Sequence, residues 1–129
     1  MVVYHGTPQQ LGIQIVNKGI LRSCSKWKPK RVFVTADFDS AVWYGGMEDV
    51  RLRNLKPVTD DWFGKSFDAQ VLIIAIDLKR KDLHMDMNLG NRFQSRKSPQ
   101  HFYVLRDIET SEFVGSTLLK ANVGLPSGI

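Results

Sequence analysis

Apolar residues recur along this chain in two rhythms, and each rhythm predicts an element. Val2-Val3-Tyr4 is a β-branched and aromatic run that predicts a strand, and Pro8 stops it. From Pro8 to Lys18, Leu11, Ile15 and Val16 return at helical spacing. Gly19 is the end signal and Gly12 weakens the middle, so the helix is expected to be short. Arg31-Val32-Phe33-Val34-Thr35 predicts a short buried strand, Ala36 to Ser40 a turn, and Ala41 to Tyr44 a helix. In this reading Asp37 or Asp39 caps that helix and Gly45-Gly46 closes it. Glu48 to Leu55 predicts a second brief helix, with Val50, Leu52 and Leu55 only roughly periodic.

Further on, residues 56 to 68 combine Pro57, Gly64 and several aromatics, the signature of an ordered surface loop. Val71-Leu72-Ile73-Ile74-Ala75-Ile76 is apolar on both faces and predicts a central strand. Residues 79 to 99 are polar and basic, and His101 to Leu105 predicts another strand. The pattern leaves the type of a terminal element over Ile108 to Leu119 open, and Gly124 to Ile129 reads as a disordered tail. Strands outnumber helices and regular βαβ crossovers are scarce, so the expected fold class is α+β in one domain over residues 1–129.

No apolar run reaches the length of a membrane span, and no basic region followed by an apolar stretch opens the chain. The expectation is a cytoplasmic protein without a signal peptide or a membrane partner. The one cysteine, Cys24, has no disulfide partner within the chain, and three widely spaced histidines predict no metal site. Charge changes the picture more. A net charge of +5 and a pI near 9.5 favour polyanionic partners. Lys26, Lys28, Lys30 and Arg31 interleave with Trp27, and Arg51, Arg53 and Lys56 form a second group. Lys79-Arg80-Lys81 forms a third, and Arg92, Arg96 and Lys97 with Phe93 a fourth. Cations mixed with rings suit a polyphosphate strand, although a solvated face is the competing reading of any one cluster.

The chemistry starts at the first strand end. His5-Gly6-Thr7 places two hydrogen-bonding side chains on the same side of a strand, with a residue lacking Cβ between them. Such a floor suits a polar ring or a sugar; the competing reading is a strand end with a surface histidine. Three phrases then stand in order: Tyr4-His5-Gly6-Thr7, Ile15-Val16-Asn17-Lys18-Gly19-Ile20-Leu21, and VFVTADFDSAVWYG over residues 32–45. This ordered set resembles the ADP-ribosyltransferase superfamily in its His-Tyr-Glu branch, which includes the poly- and mono-ADP-ribosyltransferases and diphtheria-type toxins. The likeness covers residues 2 to 45 well and the remainder loosely.

The resemblance implies a split, mostly antiparallel β-sheet core with a few short helices, and NAD as co-substrate. It also implies that His5 bonds a ribose hydroxyl and that Gly6 offers its backbone N–H and C=O to the nicotinamide amide. Thr7 would support the ribose or phosphate side, and Phe33 or Tyr44 would stack on the nicotinamide. Thr35 takes the position of the family's post-strand Ser/Thr, while counting back from Ser40-Ala41 puts Val32 or Phe33 where the family has Tyr.

The third family motif, a glutamate opening a late strand, is where this chain departs. In Gln100-His101-Phe102-Tyr103-Val104-Leu105 that position falls on Gln100 or His101. Gln100 can accept a ribose hydrogen bond without acting as a base, whereas His101 can act as one. Either the acceptor needs no base, or another carboxylate (Glu109, Glu112 or Asp37) supplies the charge, or the domain binds without turnover. The resemblance assigns acceptor recognition to the loop Asn88 to Pro99, which carries Arg92, Phe93, Gln94, Arg96 and Lys97. His5, Tyr44, Gln100 and His101 are thus the expected catalytic set. The expected activity is NAD-dependent ADP-ribosyl transfer to an anionic macromolecule, either nucleic acid or a nucleic-acid-binding protein. The small size suits a bacterial or phage toxin, effector or anti-defence protein. Rival readings are an RNA 2′-phosphotransferase-like enzyme, a base modifier, or a non-catalytic module that binds NAD, ADP-ribose or nucleic acid.

Overall fold

The computed structural model describes residues 1–25, 29–54, 66–86 and 101–124. Strand β1 (Val2–Pro8) leads directly into helix α1 (Gln9–Lys18), which Gly19 ends at φ 81°. Strand β2 (Val32–Thr35) is followed by helix α2 (Phe38–Arg53), then by β3 (Ser66–Asp77), β4 (His84–Met85), β5 (His101–Val104) and β6 (Phe113–Gly124). The six strands form one sheet in the order β4-β5-β2-β1-β3-β6, and every pairing is antiparallel. The class is α+β, as the patterning predicts. No helix among the described residues is long and apolar enough to cross a membrane.

The sheet is not split, as the resemblance implies, but continuous, and it is joined unevenly. β1 pairs with β3 along its whole length, from Val2↔Asp77 to Pro8↔Val71, and β3 pairs with β6 from Ser66↔Gly124 to Ile76↔Phe113. Between β1 and β2 the register holds a single pair, Tyr4↔Thr35. Beyond that pair the two strands diverge. The sheet therefore has a firm half, β1-β3-β6, and a second half, β2-β5-β4, attached through one seam.

Both faces carry core, which is why β3 reads as apolar throughout. On one face Val3, Leu72, Ile74, Ile76, Val32, Val34 and Val104 pack with Ile20, Ile108 and Ile15 of α1. On the other, Ala69, Val71, Ile73 and Val123 pack with Ala41 and Val50 of α2. α2 is one helix of 16 residues, not a short helix closed at Gly45-Gly46 and followed by a second one. Those glycines lie in its interior because the helix presses on the sheet there. A Cβ on Gly45 would stand 2.7 Å from the Thr7 nitrogen, and one on Gly46 2.5 Å from a Val123 methyl. Gly6 meets the helix from below: its Cβ would fall 1.8 Å from the Ala41 carbonyl oxygen. The missing side chain of Gly6 thus admits the helix backbone on that face of the strand.

Asp37 rather than Asp39 caps α2, its carboxylate accepting from the Ser40 amide at 3.2 Å. At the other end Asp49 is buried, accepts a bidentate pair of hydrogen bonds from Arg53, and also accepts from the Gln70 amide at 2.8 Å. This ties the last turn of the helix to β3. The terminal element left open by the pattern is the edge strand β6 of 12 residues.

Candidate active site

The site begins at the seam. Past Tyr4↔Thr35, residues 5 to 8 have β3 on one side and a gap on the other. Alternate peptide groups of this stretch therefore face the opening instead of a neighbouring strand. A cleft of about 650 Å³ occupies the gap, a size usual for small-molecule sites. His5, Gly6 and Thr7 line it from β1, Phe33 and Thr35 from β2, Tyr44 from α2 and His101 from β5. All the cofactor-binding residues implied by the resemblance, and three of the four catalytic ones, thus share one cavity. Gln100, Arg92, Phe93, Arg96 and Lys97 lie outside the described residues, as do Lys26, Trp27 and Lys28.

The half-buried His5 has its tautomer fixed by geometry. Its Nδ1 lies 2.8 Å from the Phe33 carbonyl oxygen, which can only accept, so Nδ1 carries the proton. Nε2 is then a lone-pair acceptor. Burial lowers the ring's pKa, partly opposed by the hydrogen bond to Phe33, which keeps the imidazole neutral at physiological pH. The same bond ties β1 to β2 where their backbones no longer pair.

Across the seam the strand registers align a polar row. Tyr4 pairs with Thr35, and Thr35 pairs with His101. The β4–β5 register, His84↔Tyr103 and Met85↔Phe102, continues so that Asp86 stands opposite His101. The Asp86 amide donates to the His101 carbonyl oxygen at 2.9 Å. Cross-strand partners share a sheet face, so Asp86, His101 and Thr35 all point to the side where α2 lies. Tyr44 of α2 meets this row: its ring contacts the His101 ring edge to face at 5.8 Å between centroids. Burial and the nearby Asp86 charge push the Tyr44 phenol up to about 12. It is therefore a neutral hydrogen-bond donor throughout the physiological range.

Asp86 is the residue that reading the sequence misses. It is 3% exposed and lines the cleft. The three carboxylates considered from the sequence are engaged elsewhere. Asp37 caps α2. Glu112 pairs with Arg106 at 2.6 Å and, with Glu109, forms the capping box of the turn Thr110–Glu112. That ion pair holds the Glu112 carboxyl below the usual range. None of the three lines the cleft. The alternation Leu83-His84-Met85-Asp86 was the available signal, since a period of two predicts a strand that would carry His84 and Asp86 on one face.

Beside the cleft, the same sheet face continues onto an aromatic surface. Exposed His84 stacks on Tyr103 with ring centroids 5.2 Å apart and planes 14° from parallel. The Arg31 guanidinium sits 4.3 Å from the Tyr103 ring centroid, and Phe33 meets Tyr103 edge to face at 6.5 Å. Arg31 and Phe33 also line the cleft, so this cationic and aromatic surface borders it directly. No group of three or more His, Cys, Asp or Glu is placed to hold a metal ion among the described residues. No protein-family model matches the chain, and a search of curated proteins finds no match.

Proposed function

We propose that this protein is an NAD-dependent ADP-ribosyltransferase whose acceptor is nucleic acid or a nucleic-acid-binding protein. The observation that carries the reading is the convergence of His5, Gly6, Thr7, Phe33, Thr35, Tyr44 and His101, named from three separated motifs, on one cleft. Their chemistry suits the co-substrate. A neutral His5 with Nε2 as acceptor can take a hydrogen bond from a ribose hydroxyl. The unpaired edge of β1 supplies the peptide donors and acceptors that a carboxamide needs. Tyr44 and Phe33 supply ring faces for a planar heterocycle.

NAD bound there supplies an anomeric carbon carrying a good leaving group; the chain orients it and stabilises developing positive charge. The basic, aromatic surface of Arg31, Tyr103 and His84 beside the cleft favours an acceptor with phosphates and bases. Isothermal titration of NAD into the native protein and into His5→Ala tests the cofactor assignment. Loss of the ribose contact should weaken binding by about 1–3 kcal/mol. Equal affinities, or no binding to the native protein, would remove NAD from this site. Incubation with labelled NAD and cell extract, followed by nuclease or protease, then identifies the acceptor class.

A further inference from the structure

We infer that the sheet face beside the cleft is a stacking platform for single-stranded nucleic acid, with His84 as the ring that receives a base. The inference deepens the proposed function, on which it rests only for the reaction that follows binding. It starts from a row across the strands. Phe33, Tyr103 and His84 occupy paired positions on β2, β5 and β4, so their side chains stand on one face. Thr35 and His101 form the next row on that face, two residues or about 7 Å along the strands, and line the cleft. The rings are placed to accept another ring. His84 lies nearly parallel to Tyr103, 14° between planes and 5.2 Å between centroids, and is exposed on β4, the outermost strand. One face of the imidazole meets Tyr103, and the other meets no aromatic ring among the described residues. A base laid there extends the stack, whatever its identity, because every base has a π-face. A base inside a duplex has both faces covered by its neighbours, so only an unpaired strand supplies one.

Cations stand where the phosphates would run. Arg31 lies 4.3 Å from the Tyr103 ring centroid, and its Nε donates to the Pro29 carbonyl oxygen at 3.1 Å. That bond orients the guanidinium, whose other N–H groups have no carboxylate partner among the described residues and suit a phosphate. The turn that enters β4 carries exposed Lys79, Arg80 and Lys81, and its one acid, Asp82, is taken up by Arg106 at 3.2 Å. Arg31 and this turn lie at the same end of β2 and β4, because both strands pair antiparallel with β5. The face thus runs from cations through stacked rings to the polar row in the cleft. A strand lying along it has its backbone on the cations, a base on His84 and a neighbouring nucleotide at the cleft. An acidic protein could use the cations but has no use for the ring stack.

The experiment is fluorescence anisotropy without NAD, using a short labelled DNA strand, the RNA strand of the same sequence, and the duplex of each. Either single strand should bind at least about tenfold more tightly than its duplex. His84→Ala, at an exposed position, should weaken single-strand binding about tenfold, the loss of one stacked base, and His84→Trp should restore it. Restoration by the larger ring also separates lost stacking from a damaged fold, which circular dichroism of both variants checks. A duplex bound as tightly as the single strands, unchanged binding by His84→Ala, or His84→Trp as weak as the alanine variant would each overturn the inference. So would polyglutamate displacing the oligonucleotide as effectively as an unlabelled strand of equal charge, since charge alone would then account for binding. Intact single-strand binding with no transfer of label from NAD would instead fall on the proposed function and leave the stacking platform standing.

Discussion

The two halves of the sheet solve different problems. In β1-β3-β6 the pairing is continuous, the middle of β3 is buried on both faces, and α2 lies so close that glycine is required at Gly6, Gly45 and Gly46. In β2-β5-β4 the strands are short, and the outer surface shows Tyr103, His84 and Arg31. Polar side chains line the cleft where the halves meet, His5 and Thr7 from β1 and Thr35 and His101 from β2 and β5. The lesson is that rigidity and reactivity are segregated. The firm half fixes β1 and α2 to within van der Waals contact, and those two elements then hold His5 and Tyr44 against the seam.

That division can be broken from the firm side first. Gly6→Val should have the largest effect, about 3 kcal/mol or more of lost stability, because its Cβ would sit on the Ala41 carbonyl. Urea denaturation measures it, and a loss below about 1 kcal/mol would contradict the packing described. Ile74→Ala, in a strand buried on both faces, should cost about 2–5 kcal/mol by the same measurement. Half-exposed Phe33 at the seam should behave in the opposite way. Phe33→Ala should cost less than about 1.5 kcal/mol of stability while weakening NAD binding, so equal stability losses at positions 33 and 74 would erase the distinction. Arg31→Ala should leave the fold intact and weaken single-stranded nucleic acid binding by about 0.5–1 kcal/mol, the scale of an exposed cation–π contact. Fluorescence anisotropy with a labelled oligonucleotide checks it.

The smallest effect is a pH dependence, and its window separates the halves. Burial lowers the His5 pKa below its ordinary 6.5, so the unfolded chain binds more protons in that range. Stability from this group is complete above about 6.5 and declines as the pH falls through the lower folded value. Glu112, lowered by Arg106, contributes stability that is complete above 4.5 and declines below it. His5→Gln should flatten the first decline and leave the second. An unchanged stability profile between pH 5 and 7 would remove His5 from a buried seam.

Local signals made much of this molecule readable. β-branched and aromatic residues up to Pro8 marked β1, and helical spacing up to Gly19 marked α1. The apolar run from Val71 to Ile76 marked a strand covered on both faces. What escaped was decided by contacts distant in sequence. Gly45-Gly46 looks like a helix end because glycine punctuates helices in isolation; here Thr7, Val71 and Val123 press against those positions. β6 escaped because an edge strand with exposed residues on much of its length lacks clean alternation, and Gly115 and the bulge near Ala75 disturb what remains. At the site, the first two motifs were legible because each lies on a contiguous phrase. Asp86 was not, since only the pairing of β4 with β5 places it opposite His101.

The single pair Tyr4↔Thr35 has a mechanical meaning. A sheet whose halves meet in one backbone pair and the His5–Phe33 hydrogen bond, beside an open gap, is a clasp with its pin already in place. A ligand gripping His5 on one arm and His101 or Phe33 on the other would tie the arms together, so part of its binding energy would appear as resistance of β2 and β5 to local opening. Amide exchange would then slow most at Val32–Thr35 and His101–Val104 and least along β3 and β6, where continuous pairing already resists opening.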